Sequence, residues 1–308
     1  MKINNCPICN ENKFISTDYL KAPKQDEWTY DCFKNKSLST CKKCHFTFTA
    51  EVFENGALSK FYNSLYTGNK LKEFKSSENY EFAMRFMSHI NFIRTNIDLW
   101  DGMNILEIGP NENGMIPTFS LFCKSNYFYF EQVEYPVINQ YGGIRLGKYF
   151  SRKTASLIEF DKKIDLIVLS HCLEHFEPQN INQDIESMSL ALKLNGCVSV
   201  EVPLESSMSP PHTQSFNVNN MSLLFEKHGF EIVASQSINK PNGMDKNELI
   251  NKPFIASELV KEFFKKIISL LLPRRIRLMI LKPFYQNKLK VLYDGKPYMR
   301  LLAQKKLI

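Results

Sequence analysis

Apolar residues in the middle of the chain gather into short continuous runs, each closed by a turn signal. Asn104 to Gly114 (NILEIGPNENG) is the clearest: Ile105, Leu106 and Ile108 surround Glu107 and lead into Gly109, Pro110, Asn111, Asn113 and Gly114. Such a run predicts a buried parallel strand feeding a tight loop. Tyr127–Val133, Ser156–Phe160, Ile164–Ser170 (IDLIVLS) and Cys197–Val202, stopped by Pro203, predict second to fifth strands. Helices are predicted between them at Met115–Lys124 and at Ile181–Leu194, the latter stopped by Asn195-Gly196. Upstream, Glu78–Trp100 carries Phe82, Phe86, His89, Ile90, Ile93 and Ile97 at helical spacing.

Strands alternating with helices, each strand apolar throughout, imply a parallel sheet covered on both faces. Ligands bind such sheets beyond the carboxyl ends of the strands, where strand order reverses. Glu107 and Gly109, Glu131 and Glu134, Ser170 and His171, and the residues after Pro203 would meet there. The turn after the first strand needs positive φ, which Gly adopts freely and Asn tolerates well. Glu107 stands where a carboxylate accepts from a ligand amine or ribose hydroxyl. An acid at the end of the second strand suits ribose, and the spacing leaves Glu131 and Glu134 both open.

The composition of the 308 residues, 44% apolar and 23% charged, is that of a globular protein with a sizeable core. The sequence shows neither a signal-like start nor an apolar run of bilayer length, so a cytoplasmic location is expected. In that setting eight cysteines read as metal ligands and buried thiols, not a disulfide framework. Cys6-Pro-Ile-Cys9 and Cys41-Lys-Lys-Cys44 are two CxxC pairs, suited to four thiolates around a structural Zn²⁺. His45 reads as a bystander and Cys32 is unassigned. So short a segment uses a metal in place of a core, so chelation is expected to unfold it. Tyr62 and Tyr66 share one helical face, either packing the module on the main domain or forming a lid over a ligand.

The net charge of +7 is concentrated: residues 251–290 carry a net +8 and the rest of the chain sums to −1. Ile255–Leu272, broken by Pro273, and Arg274–Leu281 read as two amphipathic basic helices, fit for an anionic membrane surface or a solvated dimer or lid face. Aromatics are not interleaved as stacking platforms, which argues against nucleic acid. The first turn lacks GxGxxG, which argues against a nicotinamide-dependent oxidoreductase.

ILEIGPNENG, IDLIVLSHCLEHF, LALKLNGCVSVEVP and HTQSFNVNNMSLLFEKHGFEIV together resemble class I S-adenosylmethionine-dependent methyltransferases over roughly residues 100 to 238 and the C-terminal end. The resemblance implies an α/β fold: a doubly wound, mostly parallel, seven-stranded Rossmann-like sheet. Phe230–Ser237 would be its sixth strand, and Pro297–Lys305 a seventh, antiparallel and inserted between the fifth and sixth. It implies S-adenosylmethionine held by Glu107, Gly109, Pro110, Asn111, Gly114 and Ser170, with Glu131 or Glu134 on the ribose. Asn111 and Asn113 stand where the family usually has glycine. A zinc module followed by a Tyr-rich element is similar to the sugar C-methyltransferase branch. That implies a sugar-like, nucleotide-linked or surface-glycan acceptor, His212 as general base, and His171 and Tyr66 as positioning residues; His175 is a further candidate. The expected organisation is a zinc-ribbon module at 1–50, a helical connector or lid at 51–100, and the methyltransferase domain at 101–308 with a basic insertion at about 240–292. The alternative is a methyltransferase fold without catalysis, serving as a binding module.

Overall fold

The computed structural model describes residues 1–19, 32–54, 56–58, 60–61, 76–110, 115–119, 122–131, 147–151, 157–204, 208–238 and 297–306. Tyr62, Tyr66, Asn111, Asn113, Gly114, Glu134 and the basic segment 251–290 lie outside the described residues. So does the side chain of Glu131.

Five parallel strands form the centre: β4 (Asn104–Ile108), β5 (Asn126–Glu131), β6 (Gly147–Ser151), β7 (Ile164–Ser170) and β8 (Leu192–Pro203). β10 (Phe230–Ile238) and β11 (Tyr298–Lys305) complete a seven-stranded sheet in the order β10-β11-β8-β7-β4-β5-β6. β11 is antiparallel to both neighbours, Arg300 facing Glu201 of β8 on one side and Gln236 of β10 on the other. The seventh strand is thus inserted where the resemblance puts it. The order reverses between β4 and β7, which run level from Ile105/Leu166 to Ile108/Leu169.

The strands read as unbroken apolar runs because both faces are buried. Ile105, Leu166, Val168 and Leu302 face one layer, with Phe86, Ile90 and Ile93 of helix α1 (Ser76–Asn96). Leu106, Ile108, Ile167, Leu169, Val200 and Leu301 face the other, with Ile185 and Met188 of one helix and Met221, Leu224 and Phe225 of another. Each such side chain contributes about 1.5–3 kcal/mol by leaving water. A four-residue helix, α2 (Ile116–Phe119), precedes those two, which are α3 (Ile181–Ala191) and α4 (Val218–Lys227). Asn217 and Asn220 cap α4 reciprocally, side chain to backbone amide, at 2.9 and 3.0 Å.

Three local expectations are corrected. The helix expected to run to Leu194 stops at Ala191, because Leu192 pairs with Ile164 in the sheet and is fully buried. Asn195, at φ 62°, lies in the irregularity before Cys197 rejoins β7 opposite Leu166, so the turn signal marks an interruption of a strand and not a helix stop. The third strand is β6 and not 156–160: Leu157–Phe160 is a 3-10 turn that buries Leu157 and Phe160 three residues apart. The first helix after the opening turn is limited to α2, and Phe122 to Ser125 have left it before β5 begins.

A second, antiparallel sheet holds β1 (Phe14–Asp18), β2 (Ser37–Cys41), β3 (Thr47–Thr49) and β9 (Gln214–Ser215), in the order β1-β2-β3-β9. Its fourth strand comes from the large domain. Cys6, Ile8, Cys44, Phe46 and Phe48 share one apolar cluster with Phe216, Met221 and Leu224, and the rings of Phe46 and Phe216 lie 5.1 Å apart. Asn182 and Lys227 donate to the carbonyl of Pro7 at 2.8 and 3.2 Å. The N-terminal segment is built onto the larger sheet's outer helices, sharing their core.

Candidate functional site

Each CxxC pair forms the same backbone knuckle. The amides of Asn10 and His45 donate back to the carbonyls of Cys6 and Cys41 at 2.9 and 3.0 Å, and both residues sit at positive φ, 60° and 58°. This gives His45 a backbone role. The four Sγ atoms lie within 4.8 Å of one another, with Cys6 to Cys44 at 3.6 Å and Cys9 to Cys41 at 3.5 Å. Thiolates at about 2.3 Å from a tetrahedral Zn²⁺ stand about 3.8 Å apart, so donor type and spacing both fit that ion. Burial pushes the Cys6 thiol up to about 11 and Cys44 further in the same direction, which a cation at their centre would oppose.

At the carboxyl end of β4, Glu107 is 3% exposed, and both its oxygens lie within reach of the amide of Met115, at 2.7 and 2.8 Å. It ties Met115, just before α2, back to the strand. Gly109 sits at φ 64° and donates to the carbonyl of Phe130 at 2.8 Å. A Cβ there would lie 2.2 Å from Cys172 Sγ. The close approach that demands glycine is therefore made by a side chain of the loop after β7. Pro110 follows, buried.

Across the switch point, β7 ends in Ser170 and His171 follows it. His171 is at φ 51°, and its amide donates to the carbonyl of Glu201 at 2.8 Å. Its ring stands between two carboxylates, Nδ1 3.6 Å from Glu174 Oε1 and Nε2 3.4 Å from Glu201 Oε1. Ser170 donates its hydroxyl to the same Glu201 oxygen at 3.3 Å. Glu201 has no exposed surface; Arg300 Nε donates to Oε2 at 2.6 Å, and Arg85 Nε lies 3.7 Å from Oε1. Burial alone would raise this carboxyl, yet Arg300, backed by His171 and His89, holds it well below the usual carboxylate range. α1 covers the pair, Ser88 accepting from Arg300 through its carbonyl and hydroxyl at 3.2 and 3.1 Å.

His212 reaches the same region on the loop before β9. Its amide donates to the carbonyl of Ser209 at 3.0 Å, its carbonyl accepts from the hydroxyl of Tyr19, and its ring centre is 4.8 Å from that of His175. His175 lies in a 3-10 turn, Leu173–His175, and is held neutral: burial pushes it down to about 3, helped by the neighbouring His212. Thus Gly109, Ser170 and His171 are level at one sheet end, and His175 and His212 are in contact. Glu201 and Arg300 escaped the sequence reading. Their one signal is a charged residue between apolar neighbours, Glu201 between Val200 and Val202 and Arg300 between Met299 and Leu301. A cavity of about 320 Å³ lies at the opposite end of the sheet, lined in part by Trp100, Met103 and Asp165. Of its two carboxylates, Asp98 and Asp165, the second is held by Lys193 and the amide of Asn104.

No family model and no curated protein matches the chain. Among solved structures, it is similar to a phosphoethanolamine N-methyltransferase 2 of Haemonchus contortus with S-adenosylhomocysteine bound, at TM-score 0.47 and 10% identity over 85% of this chain. The chain spans 63% of that protein's length. It is also similar to the 1,6-didemethyltoxoflavin-N1-methyltransferase of Burkholderia thailandensis, at TM-score 0.48 and 14% identity, covering 89% of this chain and 97% of that one. A third is an S-adenosylmethionine-dependent methyltransferase of Archaeoglobus fulgidus, at TM-score 0.43 and 14% identity, covering 80% and 99%. No helix among the described residues is long and apolar enough to cross a membrane.

Proposed function

We propose that this chain is an S-adenosylmethionine-dependent methyltransferase acting on a small-molecule acceptor. The observation that carries the reading is the reversed strand order with β11 antiparallel between β8 and β10, which puts the ends of β4 and β7 side by side. The donor set fits a cationic ligand: Glu107 and Glu174 bring buried carboxylates to that end. Glu107, Gly109, Pro110, Asn111, Gly114 and Ser170 would hold the cofactor, with Glu131 or Glu134 on its ribose. Bound there, the cofactor supplies a methyl group on a positively charged sulfur.

The chain's own work is alignment and proton removal. His212 is the base in this reading, taking a proton from the acceptor on a ring nitrogen. His171, fixed between two carboxylates, is a positioning residue in this reading. Tyr66 is proposed as a further contact to the acceptor. The four cysteines hold a structural Zn²⁺. A sugar-like acceptor, nucleotide-linked or on the way to a surface glycan, rests on the resemblance stated above; attachment of segment 251–290 to the inner face of a membrane rests on its net charge of +8 and its amphipathic spacing.

Calorimetry of the full chain with S-adenosylmethionine and S-adenosylhomocysteine tests the core of this. Saturable binding of both at micromolar concentrations is expected. No heat with either ligand overturns the reading and leaves a binding module.

A further inference from the structure

Glu174, His175 and His212 are not exhausted by the methyl-transfer reading. Glu174 is 2% exposed, and one donor atom from each of the three residues lies within 4.8 Å of the others. The orientation of His175 is set by Pro211, whose carbonyl is 3.4 Å from Nδ1. A carbonyl only accepts, so Nδ1 carries the proton and Nε2 is left with a lone pair. That lone pair faces Glu174 Oε1 at 3.9 Å. Two electron-rich atoms therefore face each other across a gap too long for a hydrogen bond, with the third ring, His212, beside them.

We propose that Glu174, His175 and His212 form a second metal site, for a divalent transition ion of the Zn²⁺ class, separate from the four cysteines. Two imidazoles and one carboxylate suit Zn²⁺, Co²⁺ or Fe²⁺ and leave coordination positions open; Mg²⁺ prefers oxygen alone. A ligating imidazole that gives its other N–H to a main-chain carbonyl is the usual support of such sites, and Pro211 supplies it. The partly exposed edges of His175 and His212 give the ion a route in from solvent. One consequence rests on the reading of His212 as base: a nitrogen that binds the ion cannot take a proton, so metal loading inhibits transfer. The site itself does not depend on that reading.

The test is metal stoichiometry of the full-length protein by mass spectrometry after Zn²⁺ loading and gel filtration, with Co²⁺ absorption as a second readout. Wild type should hold two ions per chain. His175→Gln and His212→Gln should hold one, with circular dichroism unchanged and the cobalt–thiolate charge-transfer band intact. The partly exposed His212 makes its variant a safe control if His175→Gln folds poorly. One ion per chain in wild type, or two retained in His212→Gln, overturns the proposal. S-adenosylmethionine titration of the same samples separates the two readings: loss of cofactor binding with two ions present would sink the methyltransferase alone.

Discussion

The amide of Thr49 donates to the carbonyl of Thr213 at 2.9 Å, joining the end of β3 by main chain to the residue after His212. Thr213 in turn donates its amide to the carbonyl of Glu174 at 2.9 Å, and Gln214 donates its side-chain nitrogen to Leu173 at 2.7 Å. Phe48 and Gln214 are register partners in the small sheet. A continuous ladder therefore runs from the cysteine knuckles through β2 and β3 to the loop of His212 and on to the turn of Glu174. The N-terminal segment is the wall against which that loop is fixed.

Loss of the cysteine cluster should consequently be felt at His212. Replacing Cys44 with Ser, or stripping metal with a strong chelator, should raise hydrogen exchange of the amides at 212–215 by at least about tenfold, with a lower melting temperature in a single transition. The sequence alone suggested a segment that unfolds by itself. Its shared core with Phe216 and Met221 argues instead for coupled loss, and two separated transitions would refute the coupling.

Arg300 and Glu201 form a buried ion pair, so removing one partner is costly. Arg300→Met should destabilise the fold by about 3–5 kcal/mol in urea melts, and a paired Glu201→Leu should recover much of that. The folded carboxyl is held below its unfolded value, so its contribution is complete above about pH 4.5 and fades as pH falls further. Arg300→Met should move the acid-unfolding midpoint upward; an unchanged midpoint would count against the pair.

His89 of α1 carries a linkage of the same sign at higher pH. Fully buried, its Nε2 lies 2.9 Å from Ser199 Oγ, and burial pushes it down to about 3. Glu201 favours its charging, while Arg300, His171 and Arg85 oppose it. Between about pH 6.5 and 3 the unfolded chain binds a proton that the folded chain refuses. Stability should therefore fall by about 1.4 kcal/mol per pH unit from this residue alone. His89→Gln should flatten that slope in melts between pH 6.5 and 4.5, above the range where Glu201 acts.

Gly109 should not tolerate a methyl group. Gly109→Ala incurs about 1–2 kcal/mol for positive φ and adds an overlap with Cys172 Sγ. Cys172→Ala in the same chain should relieve the overlap but not the backbone cost. The pair should thus couple by 0.5 kcal/mol or more, on the order usual for contacting residues. Strict additivity in thermal melts would show that the two do not touch.

The large sheet was legible because burial on both faces writes itself as continuous apolar runs. Ile164–Ser170 matched its strand to the residue, and Pro297–Lys305 and Phe230–Ser237 were displaced by one residue at an end. Gly109 was legible as a positive-φ turn but not in its reason, since the neighbour that excludes a side chain is 63 residues away. Asn195-Gly196 misled because a left-handed backbone serves equally to end a helix or to interrupt a strand. The two-residue strand Gln214–Ser215 is too short to leave a period, so the link between cysteine knuckles and His212 stayed hidden. The pairing of Glu201 with Arg300 depends on register, which only the assembled sheet supplies.

The position of Arg300 also bears on how the molecule is made. Its guanidinium is 99 residues downstream of the carboxylate it neutralises, and it sits on the strand that fills the gap between β8 and β10. At roughly 5–20 residues per second, the ribosome leaves Glu201 waiting about 5–20 s for its counter-ion. During that interval the rim of β8 cannot dry, and the nascent polypeptide carries an open, hydrated seam that any stray strand can enter. A chain released before β11 emerges would be a target for chaperones and would tend to precipitate.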